Sequence, residues 1–143
     1  MALRAAGIRI GAETHFFGYP IFVGSGPIEQ RLVVGHFCGF NKGVFFDLSA
    51  NVDIGHYVAV GHDVMFLTST YERGESSRRA GARRCAPIVV HDGAWLGARA
   101  TILPGVTIGA GSVISAGIAV SEDVPENMLI TGTQRVSLAR WRP

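Results

Sequence analysis

The stretch from residue 93 to residue 117 reads GAWLGARATILPGVTIGAGSVISAG and carries a bulky aliphatic residue at every sixth position. These residues are Leu96, Ile102, Ile108 and Ile114. A period of six is neither the 3.6-residue period of a helix nor the alternation of a single strand. It indicates a chain that turns a corner every six residues and points one side chain inward from each face. Short repeats of this kind are typical of solenoids, in which each coil buries its apolar residue against the next.

The same period extends over most of the chain, with a two-residue slip before residue 54 and an interruption at residues 68–87. The further apolar positions are Ile10, Phe16, Phe22, Ile28, Val34, Phe40, Phe46, Ile54, Val60, Phe66, Val90 and Val120. Ordinary short strands would rarely fit two shared phases this well by chance. Three faces of six residues predict a triangular coil of about eighteen residues. Glycine follows several inward positions, where we expect close approach of neighbouring coils and unusual backbone dihedrals.

Length and composition predict a single domain over residues 1–143, from which residues 68–87 extend as a long loop. A hydrophobic content of 48% with 17% charged residues fits a folded protein with a large core. No apolar run approaches a membrane span, and the first residues lack a secretory pattern, so we expect a cytoplasmic protein without a membrane partner. The net charge of +2 gives little support for a nucleic-acid partner. Cys38 and Cys85 are too few for a disulfide framework.

The interruption holds five arginines within twelve residues, at positions 73, 78, 79, 83 and 84. The structural interpretation of this cluster is a solvated loop without a binding role. Its functional interpretation is a site for an anionic ligand, because the forked guanidinium donors of arginine fit phosphate and carboxylate groups. Arg78 and Arg79 are therefore candidates for substrate binding.

Residues 91–136, HDGAWLGARATILPGVTIGAGSVISAGIAVSEDVPENMLITGTQRV, resemble the hexapeptide-repeat acyltransferases, and most closely those of the maltose and galactoside O-acetyltransferase type. The segment FNKGVFFDLSANVDIGHYVAVGHDVMFLTSTY, residues 40–71, is similar to the part of the family that precedes its extended loop. The resemblance implies a left-handed parallel β-helix that assembles as a homotrimer with sites between subunits. It also implies acetyl-CoA as the donor, and a small-molecule hydroxyl or amine, often on a sugar, as the acceptor.

Acyl transfer of this kind needs a base for the acceptor proton and a donor for the oxyanion. In the family a histidine ends a T-x-T-H motif, whereas this chain has Thr68-Ser69-Thr70-Tyr71. Tyrosines in model peptides titrate near pH 10, so a tyrosine is a poor general base at neutral pH. Three alternatives stay open. Tyr71 acts as a base activated by nearby arginines, it donates a hydrogen bond to substrate, or a histidine elsewhere supplies the base.

The resemblance assigns two further residues to the acceptor side, Asn41 and Asp47, although either can instead be a turn residue bonded to its own corner. On the donor side it assigns the backbone around Gly97, Ala98, Ala116 and Gly117 to the pantetheine arm. Arg135 and Arg99 are candidates for the CoA phosphates, whereas Glu122 stands where the family often has lysine and is expected to repel them.

The spacing of the histidines places His36 and His56 on one edge, one coil apart, and His62 on the next corner. His62 and His91 are alternative bases, although each can also be a plain corner residue. A zinc site of the γ-carbonic-anhydrase type would need a further close-spaced histidine pair and an early Arg-x-Asp, so no metal is expected. We therefore expect an acyl-CoA-dependent O- or N-acyltransferase, with a non-catalytic trimeric binding or scaffold protein as the alternative.

Overall fold

A computed structural model describes residues 2–132 and 134–139, which form short strands wound into successive coils. The strands in chain order are β1 (Arg9–Ile10), β2 (His15–Phe16), β3 (Ile21–Val23), β4 (Leu32–Val34), β5 (Gly39–Phe40), β6 (Phe45–Asp47), β7 (Val52–Ile54), β8 (Ala59–Val60), β9 (Met65–Leu67), β10 (Ser69–Arg73), β11 (Ala80–Cys85), β12 (Ile88–Val90), β13 (Trp95–Leu96), β14 (Thr101–Ile102), β15 (Thr107–Ile108), β16 (Val113–Ile114), β17 (Ala119–Val120), β18 (Met128–Thr131) and β19 (Gln134–Ser137).

Three sheets form the sides of a prism, which we name faces A, B and C. Face A has the order β1-β4-β7-β12-β15, face B the order β19-β18-β16-β13-β8-β5-β2, and face C the order β17-β14-β9-β6-β3. Within each face, every strand pairs in parallel with the strand one coil further along, apart from the antiparallel pair β18–β19. The expected all-β hexapeptide-repeat solenoid is confirmed.

The core is a set of stacks in which identical positions of successive coils pack on one another. On face C the rings of Phe22, Phe46 and Phe66 stack, with centroids 5.6 Å and 4.9 Å apart. On face B, Phe16 and Phe40 stack at 4.4 Å. Such contacts bury a large apolar area and favour one register over its neighbours, since a shifted coil would lose all of them at once.

The six-residue period fails at one of its predicted positions. Ile28 does not lie on a face but begins a 3-10 helix, Ile28–Gln30, in the connection from face C to face A. The inward residues on either side of this connection, Phe22 and Val34, lie twelve positions apart, twice the usual spacing of six. The side chain of Arg31 stabilises the connection by donating from Nη1 to the carbonyls of Ser25 and Leu48, at 3.1 Å and 2.8 Å. An insertion of about six residues leaves the phase of the sequence unchanged, which is why the pattern concealed it.

As expected, the glycines after the inward positions allow neighbouring coils to approach closely. They do not adopt unusual backbone dihedrals. A Cβ on Gly61 would lie 2.6 Å from the nitrogen of Ala98, and one on Gly97 would lie 2.6 Å from the nitrogen of Ala116. Neither glycine has a positive φ. The left-handed backbone occurs two residues later, at Asp63 (φ 56°) and Arg99 (φ 60°), so the expectation of special dihedrals at these glycines was wrong.

Residues 68–87 leave the prism as an antiparallel hairpin made of β10 and β11. Its register pairs Ser69 with Cys85, Thr70 with Arg84 and Tyr71 with Arg83. The two strands form a sheet of their own. The predicted loop is therefore an ordered arm, and the register determines which of its side chains share a face.

The two ends of the prism differ from the coils between them. At the start, the short helix α1 (Ala2–Ala5) packs Leu3 against the core. At the other end, the sequence after Pro125 predicts a final irregular coil over residues 127–136, whereas the structure has the antiparallel pair β18–β19 there. The C-terminal segment SLARWRP, residues 137–143, is too short for a stable helix of its own, and we expect it to pack across this end, but residues 140–143 lie outside the described residues. No helix in the described part of the chain is both long and apolar enough to span a bilayer.

Candidate active site

Successive corners between faces B and C form one edge of the prism, which we call the B–C edge. It contains residues 17–20, 41–44, 61–64, 97–100 and 115–118. Backbone hydrogen bonds join the coils along it: Arg99 N–H donates to the carbonyl of His62 at 2.7 Å, and Gly117 N–H donates to that of Ala98 at 2.8 Å. These contacts bring corner residues that lie 18 to 36 positions apart into neighbouring turns.

Several backbone donors on the B–C edge have no partner among the described residues, and two of them lie in consecutive coils. Ala98 and Ala116 occupy equivalent positions in consecutive coils, and among the described residues their N–H groups donate no hydrogen bond. Ala98 is half-buried and Ala116 is exposed, while a Cβ on Gly117 would meet nothing within 4 Å. The small side chains leave the backbone accessible, so this part of the edge offers free N–H groups to an extended ligand.

The polar candidates of the B–C edge lie beside these donors. His62 is exposed and, within the described part of the chain, its ring makes no hydrogen bond. Asn41 is half-buried in the coil before, and its N–H donates to the carbonyl of Val60 at 2.9 Å. Arg99 is exposed and its Nε lies 3.8 Å from Oδ2 of Asp63. The structure thus brings together seven predicted site residues: Asn41, His62, Gly97, Ala98, Arg99, Ala116 and Gly117.

Asp47 lies on the opposite side of face C, on the C–A edge, and is nearly fully buried at 6% exposure. Oδ1 accepts from the N–H and hydroxyl of Ser49, at 3.1 Å and 2.6 Å. Oδ2 accepts from the N–H and hydroxyl of Ser69, at 2.9 Å and 2.5 Å. Burial opposes ionisation of Asp47, but the hydrogen bonds from both serines outweigh it and lower the pKa of the carboxyl. Asp47 is thus an ionised anchor that ties the base of the hairpin to the second coil.

The remaining acceptor-side candidates lie on the hairpin. Tyr71 is 58% exposed and pairs across the hairpin with Arg83. Nη2 of Arg83 donates to the hydroxyl of Ser49 at 2.5 Å. Arg78 and Arg79 lie towards the hairpin tip, where Arg79 donates from Nη1 to the carbonyl of Gly74 at 3.2 Å. Within one chain these residues are separated from the B–C edge by the width of face C.

Arg135 lies apart from the other donor-side candidates. It is on β19 at the C-terminal end of the prism, where its Nη2 lies 2.9 Å from Oε2 of Glu122. The residue expected to repel a phosphate therefore forms an ion pair with the residue expected to bind one. Arg99 lies on the B–C edge and takes no part in this pair.

Three residues at the hairpin base were not predicted from the sequence: Ser49, Ser69 and Arg83. A serine two residues after an aspartate is a typical signal of a bonded turn, so Ser49 was within reach of sequence reasoning. Ser69 had no such signal, because its contact with Asp47 spans 22 positions. Arg83 belonged to the arginine cluster, but nothing in the sequence distinguished it from its neighbours.

The corners between faces A and B form a second edge, the A–B edge, with residues 11–14, 35–38, 55–58, 91–94 and 109–112. Its histidines have a structural role. The rings of His36 and His56 stack with centroids 5.0 Å apart, as their spacing predicted. Nδ1 of His36 accepts from the N–H of Ala12 at 2.8 Å, and Nδ1 of His56 accepts from that of His36 at 2.9 Å. Asp92 continues the series by accepting from the N–H of His56. Across residues 2–132 and 134–139, no three His, Cys, Asp or Glu side chains are grouped to hold a metal ion.

Comparison with known proteins identifies the family. Residues 87–117 match the bacterial transferase hexapeptide family (six repeats). The galactoside O-acetyltransferase of Lactococcus lactis is 31% identical over 121 residues, which cover 85% of this chain and 58% of the relative. A Schizosaccharomyces pombe relative is 40% identical over 89 residues and is covered to 42%. The chain thus spans less than two thirds of the length of these curated relatives.

Solved structures match this chain in three dimensions as well. The hexapeptide-repeat-containing acetyltransferase of Vibrio cholerae superposes with a TM-score of 0.83 at 29% identity, over 95% of this chain and 77% of that one. Its complex with acetyl-CoA matches with a TM-score of 0.70 at 30% identity, over 85% of this chain and 69% of that one. The resemblance found in the sequence is confirmed, and the chain belongs to the hexapeptide-repeat acetyltransferases.

Proposed function

We propose that the protein is an acetyl-CoA-dependent acyltransferase that acts on a hydroxyl or amino group of a small polar or sugar-like acceptor. The observation that carries this proposal is the match to the Vibrio cholerae acetyltransferase solved with acetyl-CoA, which covers most of both chains. The unused backbone donors on the B–C edge support it. The pantetheine arm of CoA is an extended chain of amides and needs such donors along its length.

The donor lies along the B–C edge in this proposal, with its thioester next to Ala98. The N–H groups of Ala98 and Ala116 are free among the described residues, and the side chains there are small enough for close contact. A fixed backbone donor beside the thioester carbonyl is what stabilises the oxyanion that forms during acyl transfer. Arg99, exposed on the same edge, supplies positive charge near the donor.

The base in this proposal is His62. It is one coil from Ala98, and its ring is exposed and not engaged by other described side chains. His62 removes the proton from the acceptor hydroxyl or amine as the acceptor atom attacks the thioester carbon. The carbon–sulfur bond of the tetrahedral intermediate then breaks, the acyl group stays on the acceptor, and the CoA sulfur leaves and takes up the proton. Histidine suits both transfers because it exchanges protons near neutral pH.

Tyr71 and Asn41 orient the acceptor in this proposal, with Tyr71 donating a hydrogen bond rather than removing a proton. Tyr71 lies on the hairpin, on the far side of face C from His62 in the same chain. A neighbouring copy is therefore needed to bring a hairpin to each B–C edge. We propose a homotrimer with one site between each pair of subunits.

The outward surface of face C supports such an assembly. Its strands carry Ile21, Phe45, Met65, Thr101 and Ala119 immediately before their inward residues, and none of these is charged. Ile21 is 53% exposed in the single chain. The equivalent positions of face B also lack Asp, Glu, Lys and Arg, whereas those of face A include Arg9 and Asp53. An uncharged side next to a charged one is the pattern expected when one side is covered by another subunit.

Release of the CoA thiol from acetyl-CoA, measured with a panel of sugars and amino sugars, tests the proposal. We expect acceptor-dependent release, saturable CoA binding in calorimetry, and a particle of three times the chain mass of 15.2 kDa in light scattering. A trimer that binds CoA but transfers to no acceptor would favour the alternative, a binding or scaffold protein without a catalytic base. Absence of CoA binding would refute the proposed function.

A further inference from the structure

A cavity adjoins the hairpin base, away from the B–C edge where the donor is proposed to bind. Its volume is about 420 Å³, and it lies on face C beside the C–A edge. Val23, Phe45 and Leu67 form its apolar floor, while Asp47, Ser69 and Arg83 are among its polar groups. A cavity of this size and mixed lining fits a small polar molecule rather than an extended chain.

Asp47 cannot be the group that recognises a ligand in this cavity. A carboxylate has about four lone-pair positions for hydrogen bonds. All four are used by the N–H and hydroxyl groups of Ser49 and Ser69. A ligand hydroxyl would have to displace one of these donors, and the displaced donor would then lie buried without a partner.

Arg83, in contrast, has donors to spare. A guanidinium carries five N–H groups. Among the described residues, the guanidinium of Arg83 makes one hydrogen bond, from Nη2 to Ser49. Arg83 forms no ion pair with any described carboxylate. Ser49 links it to Asp47, which fixes one end of the guanidinium and leaves its other N–H groups without a partner among the described residues. An anchored arginine is preorganised to bind an anion.

The surroundings of Arg83 strengthen its attraction for an anion. The hairpin residues 68–87 contain five arginines against two glutamates, so the arm as a whole is basic. Arg83 is itself exposed, so its remaining N–H groups are accessible to a ligand that rests on the apolar floor of the cavity. By register, Arg83 shares a hairpin face with Ser69 and Tyr71, whereas Arg84 pairs with Thr70 and points to the other face.

We propose that this cavity binds the acidic group of the acceptor, a carboxylate or a phosphate, and that Arg83 is the residue that selects acidic acceptors over neutral ones. The proposal rests on the proposed function for the transfer reaction, but anion binding itself does not require acetyl-CoA. An acid held by Arg83 would extend its hydroxyl or amine past Tyr71, which lies on the same hairpin face.

Binding of small sugars to the protein, measured without acetyl-CoA, tests the proposed anion site directly. Matched probes are glucose against glucuronate, which tests a carboxylate, and glucosamine against glucosamine 6-phosphate, which tests a phosphate. We expect at least one acidic probe to bind roughly ten- to hundredfold more tightly than its neutral partner, the range that corresponds to one charge-assisted contact. Equal affinities within both pairs, or no binding of either acidic probe, would overturn the proposal.

Two substitutions complete the test. Arg83→Gln should abolish the preference for the acidic probe, and Arg83→Lys should retain part of it because the charge remains. Arg84→Gln is the matched control, since it removes the same charge from the opposite hairpin face, and should keep the preference. Equal losses in Arg83→Gln and Arg84→Gln would show a general effect of arm charge and contradict a specific site. Calorimetry with CoA on the same samples reports separately whether the donor site works.

Discussion

Two edges of the same prism use the same Gly-His dipeptide in opposite ways. On the A–B edge, His36 and His56 accept backbone N–H groups of the preceding coil, and Asp92 accepts that of His56, so the corner donors of the first three coils are capped by side chains. On the B–C edge His62 follows Gly61 in the same manner, but the equivalent donors at Ala98 and Ala116 are uncapped in the described structure. The comparison teaches that a corner histidine serves structure when its ring lies over the neighbouring N–H, and is available for chemistry when it does not.

The largest expected effect tests this difference with a matched pair. His62→Gln should lower kcat by roughly a hundred- to ten-thousandfold, the range for loss of a general base. His56→Gln should leave kcat within about threefold, because its ring is engaged by the backbone of His36. Steady-state kinetics of both variants with one acceptor makes the measurement. Equal activity of His62→Gln and the unmodified protein would remove the proposed role of His62.

The third edge contrasts with both, because its polar side chain anchors an arm. Asp47→Asn should lower the free energy of unfolding by on the order of 3 kcal/mol, since an amide cannot accept from all four serine donors. Asp53→Asn, exposed on face A, is the control and should change it little. Denaturant unfolding followed by circular dichroism measures both.

The same carboxyl gives a pH dependence of known sign. The pKa of Asp47 is lower in the folded protein, so its stabilising contribution is present above the unfolded pKa near 4 and is lost as the pH falls further. The Asp47→Asn variant should therefore show a smaller loss of stability in acid than the unmodified protein. Parallel acid curves for the two proteins would mean that Asp47 is not the group responsible.

Blocking the uncapped donors should weaken donor binding by about tenfold or more. Ala116→Phe places a ring over the free N–H groups of the B–C edge, whereas Ala110→Phe places the same ring at the equivalent corner of the A–B edge. Only the first should raise the Kd for CoA in calorimetry, since a cost of about 1.4 kcal/mol corresponds to tenfold. A similar Kd in the two variants would place the donor elsewhere.

Substitution of a histidine on the A–B edge should lower the free energy of unfolding without affecting activity. His56→Ala removes the acceptor for His36 N–H and the ring stack, so it should lower the free energy of unfolding by about 1 kcal/mol. His62→Ala should change it by less than half of that amount, because its exposed ring makes no hydrogen bond within the described residues. A larger loss in His62→Ala would reverse the assignment of the two edges.

How much of the structure can be predicted from the sequence depends on how far apart along the chain the interacting residues lie. The period of six predicts the three faces. It also predicts that His36 stacks on His56, because the two lie one coil apart and the repeat is local. The pattern did not reveal that Ile28 lies in a 3-10 helix, because an insertion of about one period leaves the phase of the repeat unchanged. The sequence did not reveal the environment of Asp47, because Ser69 contacts it across 22 positions and Arg83 contacts the neighbouring Ser49 across 34. The pairing of Arg135 with Glu122 likewise depends on the way β19 folds back onto β18.

A crystal structure with CoA bound tests the central claim most directly, because it shows which edge holds the donor and what surrounds the sulfur. We predict that the pantetheine arm lies along the B–C edge, with the sulfur beside Ala98 and the ring of His62 within reach of it. We also predict that the hairpin of a neighbouring copy, carrying Tyr71 and Arg83, lies across the site. CoA bound at another edge, or a sulfur remote from His62, would contradict this account.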